Sequence, residues 1–340
     1  MLRLLAGAVA LLFLVGSGRA DVLRLAYFDT ELSRRGPGLL FKALLSGDDP
    51  QTQAVSQVLS VVQPDVLVLA GVDYDADLLT LKALNSGLDS PYPHLFSAMP
   101  NTGLPTGRDL DGNGRTGEAR DAQGYGWFGG QDGLAVLSRY PFDHAGWQDR
   151  SGVLWKDLPD SLIAADDPGF AVQRLSSTVH WLLPVNLPGG ALTLGVFKAT
   201  PPVFDGPEDR NGRRNHDEVT LWRHLMDGPL TAPFVLLGGA NLDPDRGEGM
   251  RDAIRALLRD PRLTDPVPAR AGGGTQTTDW PDPPGRMRVD YVLPSAALAV
   301  RGAGVHWPAD GPAAALAQAA SRHRLVWVDI DWPAPLPRPP

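Results

Sequence analysis

Apolar residues along the chain fall into short runs that are separated by stretches rich in turn-forming residues. In seven of these runs the apolar residues alternate with other residues or continue unbroken, over five to seven positions, which predicts β-strands. The predicted strands cover residues 22–28, 65–70, 133–138, 191–197, 234–238, 288–293 and 325–330.

Other segments carry apolar residues at helical spacing. The predicted helices cover residues 52–62, 77–88, 216–226 and 249–258. Pro64 closes the first of them, and Asn215 is the predicted N-cap of the third, with Glu218 at the position of a capping box. Several strands and few helices, without strict alternation, favour two packed β-sheets with helices outside them.

The first twenty residues have a pattern of their own. Arg3 supplies a positive charge, residues 4–15 form an uncharged apolar run, and small residues lead to a cleavage position at Ala20. This layout predicts a secretory signal peptide over residues 1–20. The alternative is a retained membrane anchor, for which the apolar run is short against the roughly 20 residues of a span. We expect a periplasmic or extracellular protein with no membrane span after signal removal.

Composition narrows the classes of function. The chain has no cysteine, which excludes disulfides, thiol catalysis and cysteine-based metal sites. Its formal net charge is −8, whereas nonspecific nucleic-acid binding normally requires a basic face. Tight binding to long DNA or RNA is therefore not expected. A small phosphorylated or anionic ligand remains compatible with this charge.

Six segments in a fixed order carry a family resemblance. Residues 25–31 read LAYFDTE, 64–73 PDVLVLAGVD, 133–141 GLAVLSRYP, 237–243 LGGANLD, 288–293 RVDYVL and 321–325 SRHRL. Together they resemble the endonuclease/exonuclease/phosphatase superfamily, in particular a secreted bacterial branch of it. The likeness extends over one domain, residues 21–332, which leaves a Pro-rich tail over 333–340.

The resemblance implies an α+β fold, a four-layer α/β sandwich of two face-to-face mixed β-sheets flanked by helices. It also implies hydrolysis of a phosphodiester or phosphomonoester with one or two divalent cations, Mg²⁺ or Mn²⁺, at the converging strand ends.

Several positions of this implied site are kept. Asn241 matches the asparagine of the family's Gly-Asp-x-Asn turn, and Asp290 resembles the aspartate that orients the last histidine. His323 resembles that histidine itself. Asp29 stands where the family has an asparagine metal ligand, and a carboxylate also binds a hard cation. Asp73 is a weaker candidate metal ligand, because it lies two residues beyond the expected position.

Four other positions depart from the family pattern. Gly71 stands at the glutamate that is the principal metal ligand, and Gly239 at the aspartate that orients or deprotonates the attacking water. Lys198 replaces a phosphate-contacting histidine, and a lysine is a point charge rather than a positioned imidazole. Arg322 replaces an aspartate of the last motif. The combined losses predict strong impairment of the family reaction, since such groups act as a unit.

Two polar loops carry further candidates. Asp109, Asp111 and Asn113 place oxygen donors at alternate positions, as at the start of a calcium loop, but the twelfth position is Arg120 and not glutamate. Residues 109–121 therefore form either a Ca²⁺ site or an acidic turn held by Asx-type bonds.

The second loop, residues 201–215, contains three arginines close to Lys198. Arg210, Arg213 and Arg214, with Lys198 and Arg322, are candidates for binding a phosphate or carboxylate without a metal. The alternative is a solvated loop that leads into the next helix.

Three functions are compatible with the sequence. The preferred one is an exported member of the superfamily that is catalytically impaired and retained to bind a phosphorylated or anionic ligand. The second is an active metal-dependent phosphoesterase whose site is rebuilt from Asp29, Asp73, Asn241 and Asp290. The third is a calcium-stiffened interaction protein.

Overall fold

The computed structural model describes residues 21–337, so the predicted signal peptide lies outside the described residues. The strands are β1 (Asp21–Asp29), β2 (Val66–Val72), β3 (His94–Phe96), β4 (Gly133–Ser138), β5 (Gln148–Asp149), β6 (His180–Leu187), β7 (Gly190–Lys198), β8 (Phe234–Gly239), β9 (Ala269–Arg270), β10 (Asp290–Pro294), β11 (Val300–Val305) and β12 (Val326–Trp332). The helices are α1 (Leu39–Ser46), α2 (Pro50–Val62), α3 (Leu79–Ser86), α4 (Arg210–Met226), α5 (Asp252–Leu258) and α6 (Gly311–Ala320).

The first sheet has seven strands in the order β3-β4-β2-β1-β12-β11-β9. β1 and β2 run parallel, and α1 and α2 lie in the crossover between them. Every residue of β2 is buried, as expected for a strand that is covered on both faces. The register pairs Asp29 with Ala70, so the carboxyl ends of β1 and β2 lie side by side.

The second sheet has five strands in the order β10-β8-β7-β6-β5. β7 and β8 run parallel and α4 connects them, whereas β10 is antiparallel to β8. The register aligns Lys198 with Gly239 and Gly239 with Asp290. Lys198, Gly239 and Asp290, which the sequence resemblance assigns to the site, therefore lie side by side at one end of the strands.

Three hydrophobic cores hold four layers together. The central core fills the space between the two sheets and includes Tyr27 and Trp181, both fully buried. A second core joins the five-stranded sheet to α4 and α5 around Trp222. The third joins the seven-stranded sheet to α1, α2 and α3. The arrangement confirms the predicted α+β fold of two mixed sheets flanked by helices.

The strand predictions from hydrophobic pattern are confirmed, each within two residues at either end. The strands that were not predicted are short or interrupted. β3, β5 and β9 have two or three residues each, Pro184 lies within β6, and β11 contains two glycines.

The predicted start of the third helix is wrong. α4 begins at Arg210 rather than at His216, and the carboxylate of Asp205 accepts the N–H of Asn211 in its first turn. Asn215 is buried inside this helix, where its side-chain amide donates to the carbonyl oxygens of Thr200 and Ala240 at 2.7 Å. The buried face of the first turns of α4 consists largely of polar residues, so the pattern of apolar residues did not indicate a helix there.

No helix between residues 21 and 337 is long and apolar enough to cross a membrane. The beginning of the Pro-rich tail packs on the domain. Leu336 is buried, and its N–H donates to the carboxylate of Asp21 at 2.7 Å.

Candidate functional site

The carboxyl ends of β1, β2, β7 and β8 converge between the two sheets, and a buried lysine lies at this point. The Lys198 ammonium is 3.0 Å from the carboxylate of Asp29 and 3.0 Å from both carboxylate oxygens of Asp132. The Lys198 and Asp29 side chains are 14% and 3% exposed, whereas Asp132 is 36% exposed. The lysine therefore bridges two carboxylates that come from different parts of the chain.

The charges of this bridge support each other. Burial alone would lower the pKa of Lys198, but Asp132 and Asp29 raise it above its ordinary value, so the ammonium stays charged. Burial opposes ionisation of Asp29, and Lys198 and His323 nevertheless hold the pKa of its carboxyl below the usual range. Burial raises the pKa of Asp132, with Lys198 acting in the opposite direction.

The backbone of Glu31 lies against Gly71, the position that the resemblance matches to the family glutamate. Gly71 has φ +78°, a conformation that favours glycine, and a Cβ at this position would lie 2.6 Å from the backbone nitrogen of Glu31. The same Cβ would lie 3.1 Å from Oδ1 of Asp29. No side chain fits at position 71 unless the end of β1 moves.

A tyrosine hydroxyl occupies the corresponding space at position 239. A Cβ on Gly239 would lie 2.8 Å from the Tyr27 hydroxyl and 3.5 Å from Oδ1 of Asp290. Tyr27 is fully buried, and its pKa is raised well above the ordinary value by burial and then by the neighbouring Asp29. At both glycines a side chain would therefore meet neighbouring groups of the described chain.

The retained histidine and aspartate do form a pair. Nδ1 of His323 lies 2.8 Å and 3.1 Å from the two carboxylate oxygens of Asp290, and both residues are buried. Burial would lower the pKa of His323, but Asp290 and Asp29 raise it to about 9. The ring is thus an imidazolium at neutral pH, with Nε2–H as its remaining donor. The rings of Trp280 and His323 are nearly perpendicular, with the centroids 5.4 Å apart.

The neighbouring arginine of the last motif has an acidic partner. The guanidinium of Arg322 donates to the carboxylate of Glu31, with Nε at 2.9 Å from Oε1, and its backbone N–H donates to Oε2 at 2.9 Å. Ser321 donates from its hydroxyl to the carbonyl oxygen of Asp29 at 2.8 Å. These bonds fix the end of β1 against the last motif.

Asn241 and Asp73 lie at the border of this arrangement. The side-chain amide of Asn241 donates to the carbonyl oxygen of Ala199 at 2.8 Å, and its backbone has φ +50°. Asp73 accepts from the Ser33 hydroxyl and from the backbone N–H of Asp132 at 3.1 Å. Asp73 therefore supports Asp132 and makes no hydrogen bond to Asp29 within the described chain.

The fold family implies a divalent cation, and the residues present do not fit one. The Lys198 ammonium is in contact with Asp29 and Asp132, which are the carboxylates a cation would need. Gly71 offers no ligand, and the Glu31 carboxylate nearby is used by Arg322. The fixed positive charges in this cleft are protein groups.

The three arginines predicted from residues 201–215 lie on α4 and are engaged elsewhere. Arg214 is buried and donates to main-chain carbonyl oxygens, including that of Leu175 at 2.9 Å. Arg210 forms an ion pair with Asp167 at 2.7 Å. Arg213 donates to the carbonyl oxygen of Asp209 within its own helix. The structure does not gather these side chains around Lys198.

The acidic loop brings three carboxylates together. Ligand atoms of Asp109, Asp111 and Asp121 all lie within 4.8 Å of one another. Asp109 accepts the backbone N–H groups of Gly112 and Gly114 at 2.7 Å, which is the Asx-type bonding of an acidic turn. Asn113 directs its amide nitrogen to Asp111 at 3.2 Å. An acidic cluster is present, held by hydrogen bonds within the loop.

Sequence reasoning missed the groups that complete the cleft. Asp132, which directly precedes β4, and Glu31, two residues after β1, are charged residues at strand ends, and this position was the available signal. Tyr27 gave no such signal, because a tyrosine inside a strand is expected to pack in the core.

The two sheets, their strand order and the flanking helices define a four-layer α/β sandwich, and sequence and structure comparisons identify the family. The profile of the endonuclease/exonuclease/phosphatase family matches residues 39–323. The chain belongs to this family. No curated protein matches it by sequence.

Solved structures share the fold at low sequence identity. An endonuclease/exonuclease/phosphatase from Beutenbergia cavernae is 21% identical, with a TM-score of 0.56, over 91% of this chain and 71% of its own. Sphingomyelinase C from Streptomyces griseocarneus is 15% identical, with a TM-score of 0.53, over 91% and 99%. A 3′-5′ exonuclease from Neisseria meningitidis is 18% identical, with a TM-score of 0.50, over 91% and 100%.

Proposed function

We propose that this protein is a catalytically impaired member of the endonuclease/exonuclease/phosphatase family, exported from the cytoplasm and retained to bind a phosphorylated or anionic ligand. The observation that carries the proposal is the Lys198 ammonium, 3.0 Å from both Asp29 and Asp132. A covalently attached cation there neutralises the carboxylates that would otherwise attract Mg²⁺ or Mn²⁺.

The two glycines support the same proposal. A hydrolase of this family needs a metal ligand and a carboxylate that orients the attacking water, and Gly71 and Gly239 supply neither. Glu31 and Tyr27 lie where those side chains would begin. Loss of groups that act as a unit lowers the rate by roughly 10³-fold or more.

Binding of an anion is supported by the last motif. The His323 imidazolium has its Nδ1 engaged by Asp290, so Nε2–H is the donor that a phosphate oxygen would accept from. Localisation in the periplasm or outside the cell is part of the proposal and rests on the N-terminal sequence pattern.

A hydrolysis assay tests the proposal. The purified mature protein is given Mg²⁺ or Mn²⁺ with a chromogenic phosphodiester, a phosphomonoester and plasmid DNA. We expect no turnover above that of the Asp290→Ala variant, while an active family nuclease under the same conditions serves as the positive control. Metal-dependent turnover that disappears in Asp290→Ala would overturn the proposal in favour of an active phosphoesterase with a rebuilt site.

The acidic loop motivates a separate proposal, a Ca²⁺ ion in residues 109–121. It is supported by the three carboxylates within 4.8 Å of one another. Calcium should raise the melting temperature of the protein, and Asp111→Asn should remove that rise. An equal rise in both proteins would contradict a site in this loop.

A further inference from the structure

Three arginines surround one buried tryptophan beside the cleft. The guanidinium carbons of Arg324, Arg286 and Arg270 lie 4.7, 5.0 and 5.2 Å from the ring centroid of Trp307. Trp307 is 8% exposed, so the ring is a fixed platform against which the arginines are held by cation–π contacts. These three arginines and Trp307 are called the arginine cluster below.

One carboxylate, that of Asp279, forms ion pairs with the arginine cluster. Asp279 accepts from Nε of Arg286 at 2.8 Å, and its other oxygen lies 3.6 Å from the guanidinium of Arg324. Arg270 bonds only to the neutral side-chain oxygen of Gln276, at 3.3 Å. Within residues 21–337 no other ion pair reaches these arginines, and Glu31, which is paired with Arg322, adds a weaker attraction to Arg324, so the cluster keeps an excess of positive charge.

The donors of the arginine cluster are also incompletely used. The Arg324 side chain is 3% exposed, and its Nε has no hydrogen-bond partner. Arg286 is 50% exposed, so one guanidinium of the cluster is open to an incoming ligand. The position of Asp279 between Arg286 and Arg324 shows that an oxyanion fits between two of the guanidinium groups.

The arginine cluster borders the retained part of the family site. Arg324 directly follows His323, and its guanidinium donates to the carbonyl oxygen of His323 at 3.0 Å. Asp279 precedes Trp280, whose ring packs nearly perpendicular to the His323 ring. The backbone N–H of Asp279 donates to the carbonyl oxygen of Arg322 at 2.9 Å. A ligand held by the arginine cluster would therefore lie next to the His323 end of the cleft.

We propose that the arginine cluster binds the phosphate group of a phosphomonoester. Such a group carries a charge of about −1.5 to −2 at neutral pH, opposite in sign to the excess charge of the cluster. Guanidinium forks are suited to paired phosphate oxygens, and Trp307 holds them in place. The inference rests on the proposed function, because it assigns the position and the chemical class of the anionic ligand.

Calorimetric titration of the whole mature protein with inorganic phosphate tests the inference. Arg270→Gln and Arg286→Gln should each weaken phosphate binding about tenfold, the effect of one charge-assisted hydrogen bond. Asp279→Asn should strengthen it, because the competing carboxylate is removed. Arg301→Gln is the matched control, since Arg301 is exposed and paired with Asp331 away from the cluster, and its affinity should equal that of the unmodified protein. Dimethyl phosphate, a monoanion, should bind more weakly than phosphate.

The outcomes separate this inference from the proposed function. Phosphate binding that is unchanged in Arg270→Gln and Arg286→Gln but lost in Arg322→Gln would overturn the arginine cluster and leave the cleft as the binding site. Metal-dependent turnover together with cluster-dependent binding would overturn the proposed function and retain the inference. Equal affinity for phosphate and dimethyl phosphate would contradict a site for a phosphomonoester.

Discussion

Replacing Lys198 with methionine is the most informative perturbation of the cleft. Methionine keeps most of the length of the side chain, lacking only the terminal ammonium group, and removes the charge that bridges Asp29 and Asp132. The Asp29 carboxylate is 3% exposed, so it would be left buried and without its cation. We expect Lys198→Met to destabilise the protein and, at the same time, to create an affinity for divalent cations that the unmodified protein lacks.

The size of the loss follows from burial. Removing one partner of a buried ion pair costs about 3–5 kcal/mol. Asp132 is 36% exposed, so water screens its interaction with Lys198. We therefore expect a loss of unfolding free energy at the lower end of this range, about 3 kcal/mol, at neutral pH. A cation that binds the vacated carboxylates stabilises the folded state by about 2.7 kcal/mol at 100 times its dissociation constant.

Urea denaturation with and without Mg²⁺ or Mn²⁺ measures both effects. Lys198→Met should have a lower free energy of unfolding without metal and should recover most of it with metal. The unmodified protein and Lys42→Met, in which an exposed lysine is replaced, should show no response to metal that depends on Asp29. Calcium is left out, because the loop at residues 109–121 has its own acidic cluster.

Two results would contradict the proposed role of Lys198 in the cleft. If the unmodified protein is stabilised by Mn²⁺ as much as Lys198→Met is, the ammonium does not exclude the metal. If Lys198→Met is as stable as Lys42→Met without metal, the bridge contributes nothing and the lysine does not hold the cleft together.

Three further predictions concern the cleft and the core. Gly71→Ala should cost at least about 2 kcal/mol of unfolding free energy, and clearly more than Gly107→Ala, because both have positive φ but only position 71 meets the backbone of Glu31; equal costs in urea denaturation would contradict the steric argument. The pKa of His323 is raised from 6.5 to about 9, so its contribution to stability is complete below pH 6.5 and about 3 kcal/mol is lost as pH rises to 9, a slope that His323→Gln should abolish. Burial lowers the pKa of His180 to about 4, so stability is complete above pH 6.5 and falls by about 3 kcal/mol as pH falls to 4; an unchanged slope in His180→Gln would contradict this.

Much of the fold follows from short-range patterns. β4 was predicted with the bounds that the structure has, because Gly133 and the turn after Ser138 delimit an unbroken apolar run. The start of α4 was not predictable in the same way. Asn215 and Glu218 are buried by contacts with residues far away in the sequence, and a polar residue on a buried face resembles a surface residue in any local pattern.

The sequence predicts part of the candidate site and not the contacts that complete it. That Gly71 and Gly239 take the places of a family glutamate and a family aspartate stays a prediction from the resemblance. That Glu31 and Tyr27 would overlie them depends on how two strand ends and two sheets meet, which no spacing along the chain specifies. The Lys198 bridge likewise requires Asp132, a loop residue from another part of the chain.

The most direct test is whether Lys198 takes the place of the metal in the unmodified mature protein. The protein is titrated with Mn²⁺, and the electron paramagnetic resonance of the free ion is measured. We expect that the unmodified protein binds no Mn²⁺ in a way that depends on Asp29. A Mn²⁺ site that depends on Asp29 should be present only in Lys198→Met. A Mn²⁺ site in the unmodified protein that is lost in Asp29→Asn and kept in Asp111→Asn would contradict it.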